Sequence, residues 1–117
     1  MKVRELVEAM GLTVFGGASG LEREIEGGYV SDLLSDVMGN SDEGHVWVTL
    51  QAHRNVVGIA GLKDLAAVII VKGFIPDADT MADSNREGIP LLGSTLETFD
   101  VAGTLHRLLV GNADISR

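Results

Sequence analysis

The segment from Val46 to Lys72 constrains the fold more than any other. Val46-Trp47-Val48-Thr49-Leu50 is a run of β-formers, Gln51-Ala52-His53-Arg54-Asn55 is a polar corner, and Val56 to Leu62 is a helix of small and apolar residues. Leu65 to Val71 is a second apolar run. Neither apolar run shows the polar alternation of a half-exposed strand, so both belong in a sheet interior. A helix between two such strands makes a parallel βαβ unit with its polar corner at one end.

The flanking sequence repeats this pattern. Lys2 to Met10 places Val3, Leu6, Val7 and Met10 on one helical face, and Gly11 supplies a left-handed stop. Thr13 to Phe15 and Ile25 to Val30 read as strands. Ser31 is expected to cap a helix running to Met38, with Asp32 and Asp36 four residues apart on it. Asp77 caps a mostly polar and outward-facing helix to Glu87, and Leu91-Leu92-Gly93 is a short strand. Ser94-Thr95-Leu96-Glu97 matches the capping box of a last helix whose buried stripe is Leu96, Phe99, Ala102, Leu105 and Leu109. The tail from Gly111 is expected to fray. The expected fold class is therefore α/β, one domain over residues 1–117, a mostly parallel sheet with helices packed on its faces.

Several function classes fall away on composition. Nine Lys plus Arg against seventeen Asp plus Glu give a net charge of −8, a field that repels phosphate backbones and anionic lipid. No nucleic-acid polymer and no membrane is expected as a partner. No apolar run reaches the roughly 18 residues of a membrane span. The chain has no cysteine, which excludes thiolate chemistry and fits a cytoplasmic setting. The glycine-rich stretch Gly16 to Gly20 lacks the lysine and hydroxyl of a phosphate-binding P-loop, so it reads as a tight turn. His45, His53 and His106 show no metal-ligand spacing, and neither a metal nor a cofactor is expected.

In open α/β sheets ligands bind beyond the carboxyl ends of the strands. The residues just past each expected strand are Ser31 and Asp32, then Gln51, His53, Arg54 and Asn55, then Lys72 and Gly73, then Ser94 and Thr95. Two cations among hydroxyl and amide groups could bind a small anionic or phosphorylated ligand there. Each also has a plainer reading: Ser31, Asn55 and Ser94 as helix caps, Arg54 and Lys72 as surface partners of Asp32 or Asp64, His53 as a hydrogen-bonded corner residue. A hydrolytic pair of Asp32 and His53 is a third possibility, with no nucleophile accompanying it. The helix Val56 to Leu62 is apolar nearly all round, so it is either sandwiched or covered by a partner. A homo-oligomer, most simply a dimer, is expected on that ground.

Gly20-Leu21-Glu22-Arg23-Glu24-Ile25, Ala67 to Asp77 and Gly88-Ile89-Pro90-Leu91-Leu92 together resemble the DRTGG domain family, itself similar to the N-terminal domain of bacterial HPr kinase/phosphorylase. The resemblance covers the chain from its first helix to about Leu109. The pentapeptide that names the family is absent, its place taken by Gln51 to Asn55. The catalytic kinase domain is absent as well. The resemblance therefore implies a non-catalytic regulatory or ligand-sensing module, acting through oligomer or partner contacts, with a nucleotide as one implied ligand. A purely structural protein-interaction module is the alternative.

Overall fold

The computed structural model describes residues 1–111; apart from Gly111, the tail expected to fray lies outside the described residues. Among the described residues the elements run in the order α1 (Val3–Met10), β1 (Thr13–Gly16), β2 (Gly27–Val30), α2 (Leu34–Asn40), β3 (His45–Thr49), α3 (Asn55–Leu62), β4 (Ala67–Ile70), α4 (Ala78–Glu87), β5 (Leu91–Gly93) and α5 (Thr98–Val110), with a 3-10 turn at Ala18–Gly20 between β1 and β2. They form one sheet in the order β1-β5-β4-β3-β2. β2 to β5 are mutually parallel, and β1 joins antiparallel to β5. The expected α/β class, a mostly parallel sheet with helices on its faces, is what the chain adopts.

Two rows of side chains fix the layers. Val14, Leu92, Ile69, Val48 and Val30 lie side by side across the sheet. Leu92, Ile69 and Val48 are buried beneath Val3 and Leu6 of α1 and Val101 and Leu105 of α5. The neighbouring row, Leu91, Val68, Trp47 and Tyr29, faces the opposite way. There Trp47, Val68 and Leu91 pack with Val37 of α2 and Val56 and Ala60 of α3. Each of these fully buried aliphatic side chains contributes about 1.5–3 kcal/mol relative to exposure, which makes the two apolar layers the main source of stability. Trp47 also satisfies its indole, donating Nε1–H to the Ser31 carbonyl at 2.8 Å.

The glycine-rich loop is structural, as its turn reading requires. Gly17 has φ +74, and a Cβ there would overlap the Ile89 carbonyl. Its N–H donates to Asn85 Oδ1 at 2.8 Å, tying the loop to α4.

Three local expectations are corrected. α2 starts at Leu34, not Ser31, so Asp32 lies outside it and shares no helical face with Asp36. Ser31 Oγ instead accepts the Leu33 N–H at 3.1 Å, a turn the side chain can make without a helix. The inner face of α4 is polar: Thr80, Asp83 and Ser84 are buried. The last helix begins at Thr98 without the Ser94–Glu97 capping box, because Leu96 N–H is held by Ser94 Oγ and the Leu96 carbonyl by the Lys72 N–H. The buried stripe of α5 is accordingly Val101 and Leu105, while Phe99 is 87% exposed.

α3 lies on the sheet between α2 and α4. Val56, Val57 and Ala60 are buried, and Gly58, Gly61 and Leu62 face outward. Its apolar inner face is thus accounted for within the fold. Among the described residues no helix is long and apolar enough to cross a membrane.

Candidate functional site

The path of the chain decides where a crevice can form. α2, α3 and α4, which connect β2 through β5, all pack on the Trp47 side of the sheet, whereas α5, which follows β5, packs on the Val48 side. The loops leaving β4 and β5 therefore part to opposite faces. That divergence at adjacent strand ends is a topological switch point, the place where an open α/β sheet holds a ligand.

A cleft of about 540 Å³ opens there. Its walls are Gly73, Phe74 and Ile75 after β4, Gly93 to Leu96 after β5, and Met10, Gly11 and Thr13 at the α1 to β1 corner. Phe15 forms its floor: the ring lies against Gly93, where a Cβ would strike it. The volume falls in the roughly 300–1,000 Å³ range of small-molecule sites. The walls are mainly apolar, with the hydroxyls of Thr13, Ser94 and Thr95 among them.

The backbone entering this cleft is strained. Lys72 has φ +61, a left-handed conformation that costs a residue with a Cβ about 1 kcal/mol or more, and Gly73 follows at φ +73. The pair is clamped: Lys72 N–H donates to the Leu96 carbonyl and Gly73 N–H to the Ser94 carbonyl, both at 2.9 Å. The exposed Lys72 side chain has its Nζ 3.9 Å from Glu97. At that distance, and with Glu97 largely in solvent, the pairing is weak.

The ten residues expected on the rim separate into three groups. Gly73, Ser94 and Thr95 line the cleft, and Lys72 immediately precedes Gly73 without lining it. Ser31, Asp32 and Gln51 form a corner at the ends of β2 and β3, where Asp32 Oδ1 accepts from Thr49 Oγ1 at 2.8 Å and from Leu50 N–H at 2.9 Å, and Gln51 Nε2 donates to the Asp32 carbonyl at 3.0 Å. His53, Arg54 and Asn55 lead into α3. Asn55 is its first residue and not its cap, and His53 Nδ1 accepts the Asn55 N–H at 3.3 Å.

Arg54 is turned away from the rim, and its partner is neither Asp32 nor Asp64. It forms a two-pronged pair with Asp83 of α4, Nε to Oδ2 at 2.8 Å and Nη2 to Oδ1 at 3.2 Å. Arg86 adds a third contact at 2.6 Å. Hydrogen bonds from Arg54, then Arg86, hold the Asp83 carboxyl at a pKa of about 2. Asp64 pairs with Arg23 instead, at 3.0 Å.

Asp32 and His53 make no hydrogen bond to each other; Asp32 Oδ1 accepts from Thr49 and Leu50, and His53 Nδ1 accepts from Asn55. Among the described residues no group of three His, Asp or Glu is arranged to hold a metal ion. The cleft residues outside the ten expected ones are Met10, Gly11, Thr13 and Gly93 with the large apolar Phe15, Phe74, Ile75 and Leu96. Phe74, Ile75 and Leu96 follow expected strands, where the chain should turn polar, whereas Phe15 lies within one.

No protein-family model matches this chain, and no curated protein does. A solved structure does: the CBS and DRTGG domains of the regulatory region of Clostridium perfringens pyrophosphatase, complexed with the activator diadenosine tetraphosphate. The TM-score is 0.70 at 10% identity, over 89% of this chain and 45% of that one. The fold is DRTGG-like. At this identity the likeness is one of fold, and the chain spans less than half of that structure. The match bears on the DRTGG part of the sequence resemblance and not on the similarity to HPr kinase/phosphorylase.

Proposed function

We propose that this chain is a non-catalytic ligand-sensing module that binds a small anionic metabolite, best matched by a nucleotide, in the cleft between the carboxyl ends of β4 and β5. The observation that carries this reading is the cleft's position at the switch point, with the strained Lys72 immediately before its lining residue Gly73. Apolar walls from Phe15, Phe74, Ile75 and Leu96 suit the faces of a base. The hydroxyls of Ser94, Thr95 and Thr13 suit sugar and amide groups, and Lys72 suits a phosphate.

The similar pyrophosphatase region is regulatory and was solved with a nucleotide activator, which supports a sensing role for a DRTGG-like fold. In this reading Arg54 contributes to the stability of the α3 to α4 contact and not to the ligand. A hydrolytic role for Asp32 and His53 has no geometric support. The similarity to the HPr kinase/phosphorylase N-terminal domain and the cytoplasmic location stay part of the proposal.

A thermal-shift screen against nucleotides, sugar phosphates and acyl phosphates tests the reading. A ligand at about a hundred times its dissociation constant should add roughly 2.7 kcal/mol of stability, and the shift should vanish in Lys72→Ala. A hit that survives Lys72→Ala and Ser94→Val would place the site elsewhere. Complete silence across the screen would favour an interaction module without a ligand.

A further inference from the structure

Charge is unevenly placed around the β4–β5 cleft. Among the described residues that line it none is charged, and Thr13, Ser94 and Thr95 carry its polar side chains. The segments leaving β4 and β5, residues 72–79 and 94–100, hold one cation, Lys72, against four carboxylates, Asp77, Asp79, Glu97 and Asp100. A site for a chain of phosphates is built the other way round, with several cations or unopposed backbone N–H groups along it.

The neighbouring sources of positive charge are committed elsewhere. Arg54 is held on Asp83 by both prongs. Lys63 closes α3 and Arg107 stands in the last turn of α5, and both helices run back toward the amino ends of the strands. The start of α4 is capped by Asp77, whose Oδ1 accepts the Thr80 N–H at 2.9 Å. The first turn of α5 carries Asp100 and is entered through Glu97. A phosphate at either helix start would meet a carboxylate there.

We infer that the ligand of this cleft is a nucleoside monophosphate, an inference that rests on the cleft being the nucleotide site. Base and sugar lie among the uncharged walls, where an unpaired phosphate would be costly to bury. The one phosphate reaches Lys72, next to the lining residue Gly73, and the 3.9 Å pairing of Lys72 with Glu97 is loose enough to give way. A second and third phosphate find no further cation. They meet Glu97 instead, within the field of a chain whose net charge is −8. The number of phosphates thus decides between nucleotides that share one base and sugar.

Calorimetric titration of the full 117-residue chain with adenosine and its mono-, di- and triphosphate, and with the guanosine and cytidine series, tests this. In the series that binds, the monophosphate should be tightest, with the free nucleoside about tenfold weaker and the triphosphate roughly fivefold weaker or more. The order should hold with and without magnesium ion. Glu97→Lys supplies a second cation at an exposed position whose side chain makes no capping bond, so the fold is kept. It should reverse the order in favour of the triphosphate. A triphosphate or a free nucleoside that binds the wild type more tightly than the monophosphate overturns the inference; if Ser94→Val still weakens that binding, the cleft stands as the ligand site. An order left unchanged by Glu97→Lys overturns it too. Silence across every nucleoside and nucleotide removes the cleft reading and the inference together.

Discussion

Arg54 and Asp83, 29 residues apart in sequence, form a two-pronged ion pair that joins the start of α3 to the middle of α4. The pair explains why a helix as polar as α4 packs at all. Its inner face offers Thr80, Asp83 and Ser84 in place of aliphatic side chains, and each of these is hydrogen-bonded. Arg54→Ala leaves Asp83 with Arg86 alone and should lower the urea midpoint without altering the ligand-induced thermal shift. Arg54→Lys should recover only part of the loss, because an ammonium cannot make both prongs.

The same pair sets an acid dependence. The folded-state Asp83 carboxyl titrates at about 2, below its ordinary 3.8, so its contribution is complete above 3.8 and is lost as pH falls through about 2. Urea midpoints of the wild type should therefore fall more between about pH 4 and about pH 2 than those of Asp83→Asn. Parallel curves would show that Asp83 gains nothing from its partners.

Gly17→Ala should be among the most damaging single-methyl changes. A left-handed residue with a Cβ costs about 1–2 kcal/mol, and here the methyl also meets the Ile89 carbonyl, which cannot move without shifting β5. A loss of about 2 kcal/mol or more is expected by urea denaturation. Gly58→Ala, mid-helix with open space around its Cβ, should instead gain about 0.5–1 kcal/mol.

Asp32 was a candidate ligand group and is a structural acceptor. Its Oδ1 takes the Thr49 hydroxyl and the Leu50 N–H, fixing the corner after β3. Asp32→Ala should cost about 1–2 kcal/mol, mostly through the buried Thr49 hydroxyl, and leave the nucleotide response unchanged.

How far the sequence could be read follows from the range of each interaction. Val46 to Val71 was legible because buried parallel strands are continuous apolar runs and the corner between them is polar. α4 was bounded correctly by Asp77 and Gly88, since caps act within one turn. The start of α5 was not legible. Ser94 and Glu97 carry the right local signal, but backbone clamps from Lys72 and Gly73 hold Ser94 and Leu96 in a turn. Delaying the helix to Thr98 turns Phe99 outward. The rim failed in the same way: topology placed ten residues at strand ends, and side-chain partners on α4 and β3 then drew Arg54 and Asp32 out of it.

Lys72 gives the most direct test. Lys72→Gly keeps the N–H that bonds Leu96 and relieves a left-handed strain of about 1 kcal/mol, offsetting the added freedom of the unfolded chain. Its stability should stay within about 0.5 kcal/mol of the wild type. The measurement is a calorimetric titration of both proteins with the nucleotide that gives the largest thermal shift. Binding at least tenfold weaker in an equally stable Lys72→Gly protein is the expected result. Equal affinity in the two, and in Ser94→Val as well, would contradict a ligand site at the β4–β5 cleft.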